Sequence, residues 1–349
     1  MAHTQRLVVN SLRSVLLVGL LLLTSCSPQP NSNSPATPDQ PQRVTLMLNW
    51  YPEAEHGGFY AAQVHGIFEK YGLDVELRPG GPNAPVAQEL VTGRVQFAIG
   101  NADDVLLFRN QDVPVVALMA PIQNTPRCVL VREDSQVQKL SDLKGMILQA
   151  NVGRPFLEYM KSQGLLEGVQ VVPYSGSVAK LVSDSQTAIQ AYSFSEPFMA
   201  QEQGVAVRAL MLSDIGFNPY ASCLMATDEY VADNADLVAR MVIACREGWQ
   251  VYLEKPEESN AVILAANSQG MTKGALQFGV QELKPLCLPA PLTAEEMGQM
   301  SETRWQQLID QFTQLQLIDP AKVKLDKVFT TRFIERSGTL ENNTERGGQ

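Results

Sequence analysis

The chain has 349 residues, enough for one large domain or two of ordinary size, and its 45% hydrophobic and 18% charged content is that of a globular protein. A formal net charge of −10, with no basic stripe anywhere, excludes a nucleic-acid backbone as partner.

Arg6 and Arg13 precede an apolar run from Val15 to Leu23. The run is shorter than the ~20 residues of a spanning helix and suits an export signal. Leu23-Thr24-Ser25-Cys26 then resembles a bacterial lipobox, which assigns residues 1–26 to a lipoprotein signal and Cys26 to the lipid anchor. Residues 27–42 hold no apolar side chain larger than alanine or proline, cannot repay the entropy of ordering, and read as a tether. Residues 336–349 read as a polar tail. No second apolar segment is long enough to span a membrane. Of the remaining cysteines, Cys128, Cys223, Cys245 and Cys287, an exported chain could pair any two, whereas Cys245 sits on an apolar helix side that suits a buried thiol. With no C-x-x-C and only His56 and His65 beyond the signal, no metal site and no cofactor are expected.

From Arg43 the pattern is strand, polar elbow, helix. Strand Val44–Leu48 leads through Asn49-Trp50-Tyr51-Pro52 to a helix from about Gly57, whose Tyr60, Val64, Ile67, Phe68 and Tyr71 recur at helical spacing up to a Gly72 cap. Strand Leu73–Leu77, helix Ala84–Thr92 and strand Val95–Ile99 follow, then Gly100-Asn101-Ala102-Asp103 and a helix to about Asn110. Val115–Met119, Cys128–Val131 and Met146–Gln149 are strands, the last turning at Asn151-Val152-Gly153-Arg154 into a helix with Pro155 near its start. Val169–Val172, a helix near Val178–Ser183, strand Ala188–Tyr192, helix Pro197–Gln203 and strands Val207–Met211 and Cys223–Ala226 continue the alternation. The remainder reads as helices Asp236–Leu253, Glu257–Asn267, Met271–Phe278 and Thr293–Leu315. Strand–helix alternation over this length predicts an α/β protein with two mainly parallel sheets flanked by helices.

In such sheets ligands sit beyond the carboxyl ends of the strands. Four elbows there are richer in polar and aromatic groups than a turn requires. In the first, Asn49, Trp50, Tyr51 and His56 either plug a sheet end or face a ligand, and Gly57-Gly58 allow a close backbone approach that favours the second reading. Asn101 and Asp103 could serve a ligand or merely complement a helix start, as Asp104 does. The same two readings hold for Asn151 and Arg154. Tyr192, Phe194 and Glu196 combine apolar walls with one directed acceptor, the make-up of a small-molecule pocket, although Glu196 could simply cap a helix. No phosphate loop, nucleophile elbow, zinc-protease helix or dinucleotide fingerprint occurs, so no catalytic residue is assigned.

The runs Asn49–Pro52, His56–Tyr60, His65–Val75 (ending Gly-Leu-Asp-Val), Leu90–Ala98, Leu140–Gly145, Ser195–Phe198 and Ala226–Tyr230 together resemble NMT1/THI5-like solute-binding proteins of ABC importers, kin of sulfonate and nitrate receptors. The resemblance covers roughly residues 43–255. It implies a type II periplasmic-binding fold with two lobes, 43–127 plus 224–335 and 128–223. The crossings fall near Arg127–Val131 and Ser222–Ala226, with Cys128 and Cys223 on neighbouring hinge strands, close enough to pair. It also implies a lipid-anchored, extracytoplasmic, monomeric receptor that passes a small molecule to permease and ATPase subunits. The first elbow is most like the branch concerned with the thiamine pyrimidine, so an aminopyrimidine precursor is the first ligand expected. Riboflavin comes next, then sulfonate, taurine or nitrate, which the acidic elbows disfavour. One branch is a pyrimidine synthase using pyridoxal phosphate and its own histidine. Gly100 and Asp104 stand where that branch has lysine and histidine, and Cys223 alone remains of its cysteine cluster, so an enzyme is not expected. A sensor feeding a membrane kinase is the other rival reading.

Overall fold

The computed structural model describes residues 40–82 and 84–335. The export signal, Cys26, the tether up to 39 and the tail 336–349 lie outside the described residues. Among the described residues, ten strands form two five-stranded sheets. They are β1 Gln42–Met47, β2 Leu73–Arg78, β3 Phe97–Gly100, β4 Val115–Met119, β5 Arg127–Arg132, β6 Ile147–Ala150, β7 Gln170–Pro173, β8 Thr187–Tyr192, β9 Val207–Met211 and β10 Cys223–Thr227. The first sheet has the order β2-β1-β3-β10-β4 and the second β7-β6-β8-β5-β9. In each, one strand runs against the rest: β10 is antiparallel to β3 and β4, and β5 to β8 and β9. That strand is the first one laid down after the chain has crossed from the other sheet.

The apolar runs behind this arrangement are buried on both faces. Val44, Leu46 and Leu48 join Phe97, Ile99, Leu224 and Ala226 on one side of the first sheet, against the helix Gly57–Val64 and the long helix Ala235–Glu254. On its other side Met47, Ala98, Ala117 and Met225 join a core that continues to Val129 and Leu148 of the second sheet and Phe156 of the helix Pro155–Ser162. Such near-continuous apolar strands are what helices on both faces select.

Several helices differ from the sequence reading: Met271–Phe278 runs instead as Lys273–Cys287, and Asp228–Asp233 is an additional helix. The stretch expected as one helix from Gly57 to Tyr71 is two, broken where Gly66 takes a left-handed φ of 66°. Thr293–Leu315 is a short 3-10 turn followed by Glu302–Gln314, interrupted at Gly298 with φ 82°. The crossings also lie elsewhere than expected. Cys128–Val131 and Cys223–Ala226 are not connectors, because each is paired on both edges within one sheet. The connectors are 120–126 and 212–222, joined by a bridge between Ile122 and Ala221 whose N–H donates to the Ile122 carbonyl at 3.0 Å. Cys128 and Cys223 thus belong to different sheets, and all four described cysteines are buried free thiols.

Arg304 ties the two connectors together from the helix Glu302–Gln314. Its Nη2 donates to the carbonyls of Gln123 (2.6 Å) and Asn218 (2.9 Å), and its guanidinium lies 3.8 Å from the Tyr220 ring centroid. Asn218 reinforces the link, accepting from Thr125 N–H at 2.8 Å and donating to Asn124 Oδ1 at 2.9 Å.

Candidate functional site

The four elbows follow β1, β3, β6 and β8, at the carboxyl ends of parallel strands. The antiparallel strands β5 and β10 begin where their neighbours end, which adds Arg127 and Ser222 to the same region. Arg127 is register partner to Tyr192, so the two side chains share a face.

Tyr192 is the meeting point of the two sheets. Its Oη accepts from Asn101 Nδ2 (3.3 Å), of the first sheet's second elbow, and from Arg127 Nη2 (3.1 Å). The Asn101 amide is oriented by Ser222, whose N–H donates to Oδ1 at 3.2 Å. Ser222 is a non-glycine residue at φ 54°, a conformation kept by that bond and by its own Oγ donating to the Glu55 carbonyl at 3.0 Å. A second link between the sheets runs from Arg154 Nη1 to Asp104 Oδ1, 3.6 Å apart. Phe198 of the helix Glu196–Glu202 adds an apolar one, its ring 5.6 Å from that of Phe278.

In the first elbow, His56 is fully buried, with Nε2 2.9 Å from Asn49 Oδ1 and 3.2 Å from Glu55 Oε1. Nδ1 of His56 and Oε2 of Glu55 are sealed from solvent without a partner among the described residues, as is Oδ1 of Asp103. The glycine pair does permit a close approach, and what it approaches is protein. A Cβ at Gly57 would lie 1.9 Å from the Tyr252 ring and one at Gly58 2.2 Å from that of Trp249. Trp50 is 39% exposed and set edge-on to Tyr51, their centroids 5.4 Å apart.

Residues 53–259 match the model of the NMT1/THI5-like family, more than half the chain. The chain belongs to that family. This NMT1/THI5-like protein is 26% identical over 258 residues to the formylaminopyrimidine-binding protein of Halalkalibacterium halodurans, covering 71% of this chain and 77% of the relative. It is 28% identical over 259 residues to the riboflavin-binding protein RibY of Chloroflexus aurantiacus, covering 69% and 73%. Its fold matches the periplasmic aliphatic sulphonate binding protein SsuA of Escherichia coli with a TM-score of 0.63 at 16% identity, over 84% of this chain and 93% of that one.

The electrostatics of the NMT1/THI5-like site are acidic. Glu196 is half-buried and accepts from Tyr192 N–H at 2.8 Å and from Tyr174 Oη at 3.2 Å. Burial raises its carboxyl above the usual range, and the backbone bonds oppose that. Glu53, of the first elbow, is raised well above its ordinary value by burial, then by the charges of Glu55 and Glu196. Asp104 is raised by burial and by Asp103, against the pull of Arg154. Burial pushes the Tyr192 phenol up to about 12.

Glu53 gives a pH prediction. A carboxyl raised by folding holds its proton to higher pH in the native than in the unfolded chain. It therefore costs stability as pH climbs from the ordinary carboxylate range through the raised value. Glu53→Gln should melt higher than the wild type at pH 8, by about 2–4 °C if roughly 1 kcal/mol is relieved. Its melting temperature should also fall less between pH 5 and pH 8. An unchanged pH profile would contradict the repulsion.

Of the ten residues singled out from sequence, the hydrogen bonds bring Asn101 to Tyr192, Tyr192 to Glu196, and Asn49 to His56. Asp103 is buried beside them at the start of the helix Ala102–Asn110. Asn151 is exposed and donates its backbone N–H to Gln190 Oε1, while Arg154 pairs with Asp104. Sequence reasoning passed over Arg127, Ser222, Glu53 and Tyr174. Arg127 carried a signal: an arginine opening an otherwise apolar strand, Arg-Cys-Val-Leu-Val.

Proposed function

We propose that this protein is the solute-binding component of an ABC importer, holding an aminopyrimidine of the thiamine-precursor class between the elbows of its two sheets. Export and a lipid on Cys26 keep it on the extracytoplasmic face, where it acts as a monomer, without catalysis, and delivers the ligand to permease and ATPase subunits. One lobe is the chain before the first crossing and after the second; the other is the chain between them. The observation that carries the ligand reading is the gathering of Glu53 and Glu196 from elbows of the two sheets, where the charges of Glu55 and Glu196 add to burial in raising Glu53. A ring bearing amino groups supplies N–H donors to such carboxylates, while a bare anion would add to the repulsion. The 26% identical relative named for formylaminopyrimidine supports the same class. A ligand that touches both lobes favours closure by its differential affinity for the closed form. A dissociation constant near ~1 μM, about 8 kcal/mol, is within reach of a stacked ring with a few good hydrogen bonds.

The test is a thermal-shift screen of the chain from residue 27 onward with aminopyrimidines, thiamine, riboflavin, taurine, alkanesulfonates and nitrate. A ligand that binds only the folded state raises the melting temperature. The largest shift is expected from an aminopyrimidine. Riboflavin in first place would favour the reading suggested by RibY, and a response to sulfonate or nitrate alone would remove the heterocycle. Glu196→Gln removes charge yet can still accept from Tyr192 N–H and donate to Tyr174 Oη. It and Trp50→Ala should each weaken binding at least tenfold with the fold intact; normal binding by both would displace the site.

A further inference from the structure

Arg127 is only 6% exposed, the one arginine among the described residues buried to that degree. Buried guanidinium groups are ordinarily matched to a carboxylate, because an uncompensated buried charge is costly. Here no carboxylate of the described residues lies within the 4.0 Å of an ion pair. The guanidinium instead lies 5.1 Å from the ring centroids of both Phe156 and Tyr192. Its one side-chain hydrogen bond among the described residues is Nη2 to Tyr192 Oη, at 3.1 Å. None of its remaining N–H groups is sealed from solvent.

Tyr192 completes the picture. Its oxygen accepts from Arg127 and from Asn101 Nδ2, whose donor role is fixed by the Ser222 bond on the other side of the amide. With both lone pairs engaged, the phenol can only donate its own hydrogen, and no described acceptor lies within hydrogen-bond distance of it. A tyrosine O–H and a guanidinium N–H face are therefore left as neighbouring donors with no protein acceptor, at the point where the two sheets meet.

We propose that Arg127 and Tyr192 form a paired donor corner that reads an oxygen acceptor on the cleft ligand, selecting an acylated aminopyrimidine over the corresponding free amine. This rests on the heterocycle reading above. An acyl oxygen satisfies both donors, whereas the free amine offers them no oxygen acceptor and leaves them stranded. Sites built to hydrogen-bond one group reject analogues that lack it, because their own buried groups are then stranded.

The experiment is titration calorimetry with formylaminopyrimidine and its deformylated amine on the wild type, Arg127→Met and Tyr192→Phe. The wild type should bind the formyl compound at least 30-fold more tightly. Arg127→Met should bring the two within threefold of each other by weakening the formyl compound. Tyr192→Phe should give an intermediate ratio, and supplies the answer should Arg127→Met fail to fold. A ratio that survives both changes, or equal weakening of both compounds, would overturn the donor corner. If the wild type binds neither pyrimidine, the aminopyrimidine reading fails by itself, and riboflavin and propanesulfonate, both rich in acceptor oxygens, replace them. Binding of either that is lost in Arg127→Met supports the corner; binding indifferent to it, or no binding of any oxygen-bearing probe, overturns it.

Discussion

Gly248→Ala should lower the melting temperature by on the order of 5 °C, although alanine is the better helix former by about 1 kcal/mol. Gly248 lies within the helix Ala235–Glu254, where that helix crosses Gly57–Val64. A Cβ there would stand 2.3 Å from the Gly58 carbonyl oxygen, 2.7 Å from Ala62 Cβ and 2.9 Å from Ala62 N. Two of these atoms are backbone, so no rotamer change makes room and the helices themselves must separate. The contact includes Phe59 edge-on to Trp249, centroids 5.8 Å apart, and both rings are fully buried. Loosening it outweighs the propensity gain, for a net loss of about 2–3 kcal/mol. Because the helix Gly57–Val64 directly follows Glu55 and His56, the first elbow shifts with it, and ligand affinity should fall in parallel. Differential scanning calorimetry with and without ligand tests both; an unchanged or raised melting temperature would show that the helices accommodate the methyl group.

Arg304→Met should be comparably damaging for another reason. It keeps most of the side-chain volume and deletes the donor that serves both crossings, leaving the carbonyls of Gln123 and Asn218 without a shared partner. Hydrogen bonds to a charged group contribute about 1.5–3 kcal/mol, and the contact with Tyr220 adds about 0.5–1. Burial already lowers the Arg304 pKa somewhat, so part of that sum is offset. A net loss of about 2 kcal/mol is expected, with a further consequence for motion. With the two connectors no longer clamped side by side, the ligand-free protein should open more widely, and small-angle scattering should record a larger ligand-induced contraction than in the wild type. Equal contraction and a melting temperature within 1 °C would deny Arg304 this role.

Much of the scaffold could be read from residue order. β1, β3, β4, β6, β8 and β9 announce themselves as short apolar runs ended by polar elbows, and those elbows carry most of the residues that meet between the sheets. What could not be read was long-range pairing. Cys128–Val131 and Cys223–Ala226 were sensed as apolar strands, but nothing local says that each inserts between two strands of one sheet. Only that pairing brings Arg127 beside Tyr192 and Ser222 beside Asn101. The glycine pair at 57–58 misled for a related reason, since the rings it accommodates lie nearly two hundred positions further along. The breaks at Gly66 and Gly298 are backbone decisions that helical spacing alone does not record.

The strand order also fixes a sequence of assembly. Every strand of the second sheet lies between Arg127 and Met211, so that sheet can close as soon as this stretch is available. The first sheet cannot: its β3 and β4 do not touch each other and wait for β10, which arrives only after the entire second sheet has been laid down. For a chain that emerges from its amino terminus, the later half of the sheet pair is thus finished first. The earlier half stands as an open three-stranded edge and a solitary strand until Cys223–Thr227 slides between them.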